Sequence, residues 1–75
     1  MNSNIDREEL KAGDLIRFPK NPYAGILWES YAIIFSIRQG SPHLPETVRY
    51  YRSDGRFGSA TAAWLHEYCE VFERA

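Results

Sequence analysis

Tyr31-Ala32-Ile33-Ile34-Phe35-Ser36-Ile37-Arg38 is the stretch on which the fold of this chain turns. Ile33, Phe35 and Ile37 alternate with Ile34, Ser36 and Arg38, and a period of two predicts a β-strand with a continuous apolar row along one face. Read this way, residues 31 to 38 are the central strand, and Ile33, Phe35 and Ile37 look into the core.

Working outward, Thr47-Val48-Arg49-Tyr50-Tyr51-Arg52 predicts a further strand, with Val48 and Tyr50 on one face and Arg49 and Tyr51 on the other. Ser53-Asp54-Gly55-Arg56 closes it as a hairpin, because glycine takes a positive φ at little cost and aspartate tolerates one. Between these strands Gln39 to Pro45 carries two prolines, which stiffen the connection. On the other side, Asp14-Leu15-Ile16-Arg17-Phe18 predicts a first strand that ends at Pro19, which cannot donate to a ladder. Lys20 to Ser30 holds Asn21-Pro22 and Gly25, and reads as a loop carrying Tyr23 and Trp28.

The two ends are less regular. Asp6 to Leu10 predicts one helical turn, capped by Ser3 or Asn4 and stopped by Gly13. Near the other end a fourth strand starts at Arg56-Phe57-Gly58 and runs toward Ala63. A single helical turn over Trp64 to Tyr68 and a final strand Cys69-Glu70-Val71-Phe72 follow. The expected core is therefore Ile16, Phe18, Ile33, Phe35, Ile37, Val48, Val71 and Phe72.

Lys11-Ala12-Gly13-Asp14-Leu15-Ile16-Arg17-Phe18 resembles the K-x-G-D-hydrophobic opening of small bacterial and bacteriophage SH3-like or KOW-like barrels. Val48 to Arg56 resembles their strand and S-D-G-R hairpin, and Cys69 to Phe72 their closing strand. The resemblance covers most of residues 11 to 73. It implies an all-β fold, a five-stranded and partly open SH3-like barrel over residues 13–73, preceded by an N-terminal arm over 1–12 within one domain of 75 residues. The loop from Pro19 to Ser30 departs from a KOW motif, being proline-bearing and aromatic where that motif has a compact glycine turn. This departure weighs against ribosome-type RNA binding.

Composition narrows the function. A chain of 8.7 kDa has room for one small core. Its 44% hydrophobic and 15% aromatic content is too rich for disorder, and its apolar runs are too short for a membrane-spanning helix. The net charge is -1, with a basic middle between Lys11 and Arg56 and acidic ends. That balance disfavours binding driven by phosphate neutralisation. The one cysteine, Cys69, has no partner for an intramolecular bridge, and Met1 to Asp6 lacks the basic and apolar pattern of a secretory leader, which together predict a reducing, cytoplasmic setting.

No closed catalytic set is visible. His66 and Cys69 stand three residues apart and would share a helical face, but two ligands do not complete a metal site, and no cofactor or metal is expected. Glu8-Glu9 and Glu67 with Glu70 and Glu73 read as solvated faces. Gly55-Arg56-Phe57-Gly58 is too short for a phosphate loop and belongs to the hairpin.

The aromatic residues are more informative. Tyr23, Trp28, Tyr31, Tyr50, Tyr51, Phe57, Trp64 and Tyr68 exceed what so small a core can hold, so some rings must be exposed. Arginine outnumbers lysine seven to two, and arginine interleaved with tyrosine and tryptophan is the composition of protein interfaces. The expected site combines the loop residues Tyr23 and Trp28 with Arg49, Tyr51, Arg52 and Arg56 around the third strand and its hairpin.

Together these features predict a non-catalytic protein-binding module, monomeric or weakly dimeric. The resemblance adds an origin among phage or mobile-element accessory proteins that bind and modulate or inhibit a host or defence protein. The alternative is a KOW-like or Tudor-like barrel binding nucleic acid, with Arg38, Arg49, Arg52 and Arg56 on phosphate and Tyr51 or Trp28 on bases. A further reading is an aromatic cage of Trp28, Tyr31 and Tyr51 for a methylated side chain.

Overall fold

The structure, a computed structural model, describes residues 9–75. Among them, β1 (Leu15–Phe18), β2 (Ser30–Arg38), β3 (Thr47–Arg52), β4 (Phe57–Thr61) and β5 (Glu70–Glu73) form one antiparallel sheet in the order β4-β3-β2-β1-β5. A 3-10 turn (Pro22–Ala24) lies in the first loop, and α1 (Ala62–Tyr68) joins β4 to β5. No helix of the described residues is long and apolar enough to cross a membrane. The predicted turn over Asp6 to Leu10 lies mostly outside the described residues; Glu9 and Leu10 are not helical, and Leu10 is buried in the core.

The core comprises Leu10, Ile16, Phe18, Ile26, Ala32, Ile34, Val48, Tyr50, Ala62 and Leu65. β1 and β3 alternate as expected: Ile16 and Phe18 point inward from one, Val48 and Tyr50 from the other. β2 does not. Its buried residues are Ala32 and Ile34, whereas Ile33 and Phe35, the latter 41% exposed, face out. Ile34 pairs with Tyr50 and Ser36 with Arg49, so Phe35 is an extra residue without a partner on β3, a β-bulge. Beyond it the alternation resumes out of step, which returns Ile37 to the inner side opposite Val48, partly buried against the core.

A second irregularity corrects the closing strand. Ile16 pairs with Val71 and Leu15 with Glu73, leaving Phe72 unpaired between them. Val71 packs against the core, and Phe72 turns outward to meet Tyr31 edge-on, with centroids 5.3 Å apart. Two of the three phenylalanines expected in the core, Phe35 and Phe72, are thus the two residues skipped at the sheet's register shifts, while Phe18 is buried as expected.

The last third of the chain resolves as strand, then helix, then strand. α1 is longer than the single turn expected because Thr61 caps it: Thr61 Oγ1 accepts from the Trp64 N–H at 3.2 Å. Its buried residues Ala62 and Leu65 lie three apart on one face. Trp64 reaches Phe18, whose ring also meets Tyr50 with centroids 5.2 Å apart. Gly58 stands opposite Tyr50 on β4, and a Cβ there would lie 2.6 Å from Tyr50 Cε1, so the missing side chain is the space the tyrosine ring fills. The hairpin is as expected: Gly55 has φ +90, and the Arg52 N–H donates to the Arg56 carbonyl at 2.7 Å.

Candidate functional site

Sheet register assembles a row of side chains on the outer face. Leu15 stands opposite Ile33, Ile33 opposite Tyr51, and Tyr51 opposite Phe57, so four strands contribute one residue each to a line across the sheet. The bulge adds Phe35 to this line. Its ring meets Phe57 at 80° with centroids 5.4 Å apart, and Tyr51 meets Phe57 at 4.9 Å. Arg49 lays its guanidinium 5.3 Å from the centre of the Phe35 ring.

This cluster is exposed although its members touch one another. Phe57, its centre, is 70% exposed, and Ile33, Phe35 and Tyr51 are also solvent-facing. The Tyr31-Phe72 pair lies on the same outer face. Charged groups flank it: Arg17, on β1, holds Glu29 and Glu70, the latter at 3.3 Å. The hydrogen bond that Arg17 Nε donates to Glu29, then the two carboxylate charges, raise the Arg17 pKa above its ordinary value, so the guanidinium stays charged.

The six residues expected to form one site are divided by the fold. Arg49 and Tyr51 belong to the outer cluster. Arg52 stands opposite Ala32 and so points to the inner side, where it lies 5.4 Å from the Phe18 ring centre. Together with Trp28 and Arg56 it lines a cleft between the first loop and the β3-β4 hairpin. Tyr23 joins neither group, standing fully exposed on the 3-10 turn. The cage of Trp28, Tyr31 and Tyr51 does not come together either, because Trp28 lines the inner cleft while the two tyrosines pack on Phe72 and Phe57.

Phe57, Ile33 and Phe35 are the site residues that sequence reasoning missed. A hairpin over 53–56 would set residue 57 opposite residue 52, on the inner side; the turn instead closes over three residues, with the Arg52 N–H donating to the Arg56 carbonyl, and this brings Phe57 opposite Tyr51 on the outer face. No sequence signal existed for Phe35 either, since a bulge leaves no mark in a run that offers an apolar row to each face.

His66 and Cys69 line a groove with Leu10, Ile16 and Leu65 at the far end of the helix. Burial pushes the Cys69 thiol up to about 12, which is the opposite of what a nucleophile or metal ligand needs. Among the described residues no group of three or more His, Cys, Asp or Glu side chains is placed to hold a metal ion. The chain matches no protein family model, no curated protein sequence and no solved structure.

Proposed function

We propose that this chain is a small SH3-like barrel that binds another protein through the outer face of its sheet, without catalysis. The barrel reading is supported by the strand order, in which β5 returns beside β1 after a short helix and every neighbouring pair is antiparallel. The binding reading rests on one observation, the exposed cluster of Phe35, Tyr51 and Phe57 with Arg49 over its edge. Rigid rings that already touch lose little entropy on docking, and arginine beside them supplies directional hydrogen bonds at a contact that excludes water. In keeping with the resemblance to phage and mobile-element accessory proteins, the partner is a larger host or defence protein whose activity is modulated or inhibited.

The nucleic-acid alternative has less support. Its four arginines divide into Arg38 and Arg49 on one groove and Arg52 and Arg56 on another, on opposite sides of β3, and the net charge is -1. A single basic track along which a backbone could run is not formed by them.

The test is paired capture from host lysate with the wild-type chain and with Phe57→Ser and Tyr51→Ala. Proteins retained by the wild type and lost from both variants, with circular dichroism unchanged, are the expected result. Retention that both variants leave intact, or that vanishes on nuclease treatment, would overturn the reading.

A further inference from the structure

On the side of β3 opposite the outer cluster, Phe18, Ile26, Trp28, Tyr50 and Trp64 wall a cleft of about 350 Å³, at the lower end of the roughly 300–1,000 Å³ range of small-ligand sites. Arg52 and Arg56 stand in its lining with Asp54. The Arg52 guanidinium carbon lies 5.4 Å from the Phe18 ring centre, and Nη2 donates to the Ser30 hydroxyl at a long 3.4 Å. Its Nε is buried with no hydrogen bond, and the nearest carboxylate oxygen, Asp54 Oδ2, stands off at 3.9 Å. Asp54 is otherwise engaged, its Oδ1 accepting the Arg56 N–H at 3.0 Å within the turn.

Arg52 is therefore a partly buried cation whose donors are mostly unspent. A guanidinium presents a planar fork that matches a carboxylate with two parallel hydrogen bonds, and such charge-assisted pairs are the strong ones. Arg56, which makes no hydrogen bond or ion pair through its side chain among the described residues, offers a second cation at the rim. Two arginines against one aspartate leave the lining with a single positive charge, which suits a monoanion; a dianionic phosphate would add repulsion from Asp54. The aromatic walls ask for a flat or bulky apolar group beside that anion. Trp28, 64% exposed, stands in the lining with surface free to cover it.

We infer that this cleft binds a carboxylate carried next to an aromatic or large aliphatic group, as in a peptide segment, with Arg52 pairing the carboxylate and Trp28 closing over the apolar part. The C-terminal carboxylate of a chain and an acidic side chain beside an aromatic residue share this chemistry. This site is separate from the outer face and does not rest on the reading given for it.

The experiment is a titration followed by ¹⁵N NMR at the Arg52 Nε–H and the Trp28 indole N–H. The probe is N-acetylphenylalanine, compared with its neutral amide and with phenyl phosphate. Saturable shifts of both signals with the carboxylate and none with the amide are expected. Arg52→Lys keeps the charge and loses the fork, and should weaken binding by about tenfold or more. Trp28→Ala, which removes an exposed ring and so leaves folding intact, should weaken it as well, and it decides the matter if Arg52→Lys does not fold. Phe57→Ser on the other face should leave the titration unchanged. Two capped peptides, one with a free terminal carboxylate after phenylalanine and one with glutamate beside phenylalanine and an amidated end, then separate the two sources. Equal binding of carboxylate and amide, no effect of either Arg52→Lys or Trp28→Ala, or tighter binding of phenyl phosphate would each overturn the assignment.

Discussion

The Asp14 carboxylate accepts the Ala75 backbone N–H at 2.9 Å, joining the start of β1 to the residues that follow β5. Asp14 is 1% exposed, and its other oxygen accepts the Lys11 N–H at 2.9 Å and faces Arg74 Nη1 at 3.5 Å. Arg74 donates in turn to the Glu9 carbonyl. A buried carboxylate is tolerated because every contact on it comes from a donor. Asp14→Ala should cost about 2 to 3 kcal/mol by stranding these donors, and Asp14→Asn less, because the amide oxygen still accepts one of them. Urea midpoints of the two variants measure both. Equal midpoints for wild type and Asp14→Ala would show that the clamp contributes nothing.

The bulge in β2 separates two adjacent residues of similar size. Ile34→Ala removes a side chain that is among the most deeply buried and should cost about 3 to 4 kcal/mol, whereas Phe35→Ala removes a half-exposed ring and should cost about 1 kcal/mol or less. Chemical denaturation of both variants gives the comparison. The reverse ranking would place the bulge elsewhere in the strand.

Gly58 and Tyr50 are coupled by contact. Gly58→Ala should lose about 1 to 3 kcal/mol, because its Cβ would meet the Tyr50 ring. In a Tyr50→Leu background the same change should cost much less, so a double-mutant cycle should return a coupling of about 1 kcal/mol. Additivity would mean that Gly58 is needed for its backbone and not for the ring.

Cys69 and Tyr50 set an alkaline limit. Burial raises the Cys69 thiol from 9.0 to about 12, and burial first, with a smaller contribution from Cys69 against an opposing one from Arg52, raises the Tyr50 phenol above 10.0. Well below pH 9 both groups are neutral in either state, so their contribution to stability is whole there. As pH rises from 9 toward 12 the unfolded chain releases protons that the folded one keeps, and stability falls. Urea midpoints taken across this window should drop, and Cys69→Ala should flatten the drop. In the folded protein the thiol should also alkylate far more slowly at neutral pH than in urea, which a thiol-labelling time course reads directly.

Strand existence was legible in this chain because it is written in local chemistry. Pro19, the Asp54-Gly55 turn and the alternation of Val48, Arg49, Tyr50 and Tyr51 each constrain the backbone within a few residues, and β1, β3 and the hairpin follow from them. The facing of β2 was not legible in the same way. Its run offers two apolar rows, Ala32 with Ile34 and Ile33 with Phe35, and the richer row was expected inside. Side-chain size favoured that row, whereas the register with β3, in which Ile34 stands opposite Tyr50, turns the smaller one inward.

The site divides along the same line. Sequence by itself determined that rings and arginines exceed what the core can hold, that Arg49 and Tyr51 face away from it, and that Asp54-Gly55 turns the chain back along β3. Only the tertiary structure decided that Phe57 comes beside Tyr51, that Trp28 and Arg52 share a cleft, and that Phe35 and Phe72 are turned out. The physical reason is that alternation is a property of one strand, fixed by the geometry of each peptide unit, whereas a register shift is a property of two strands and depends on which packing fills the space between them.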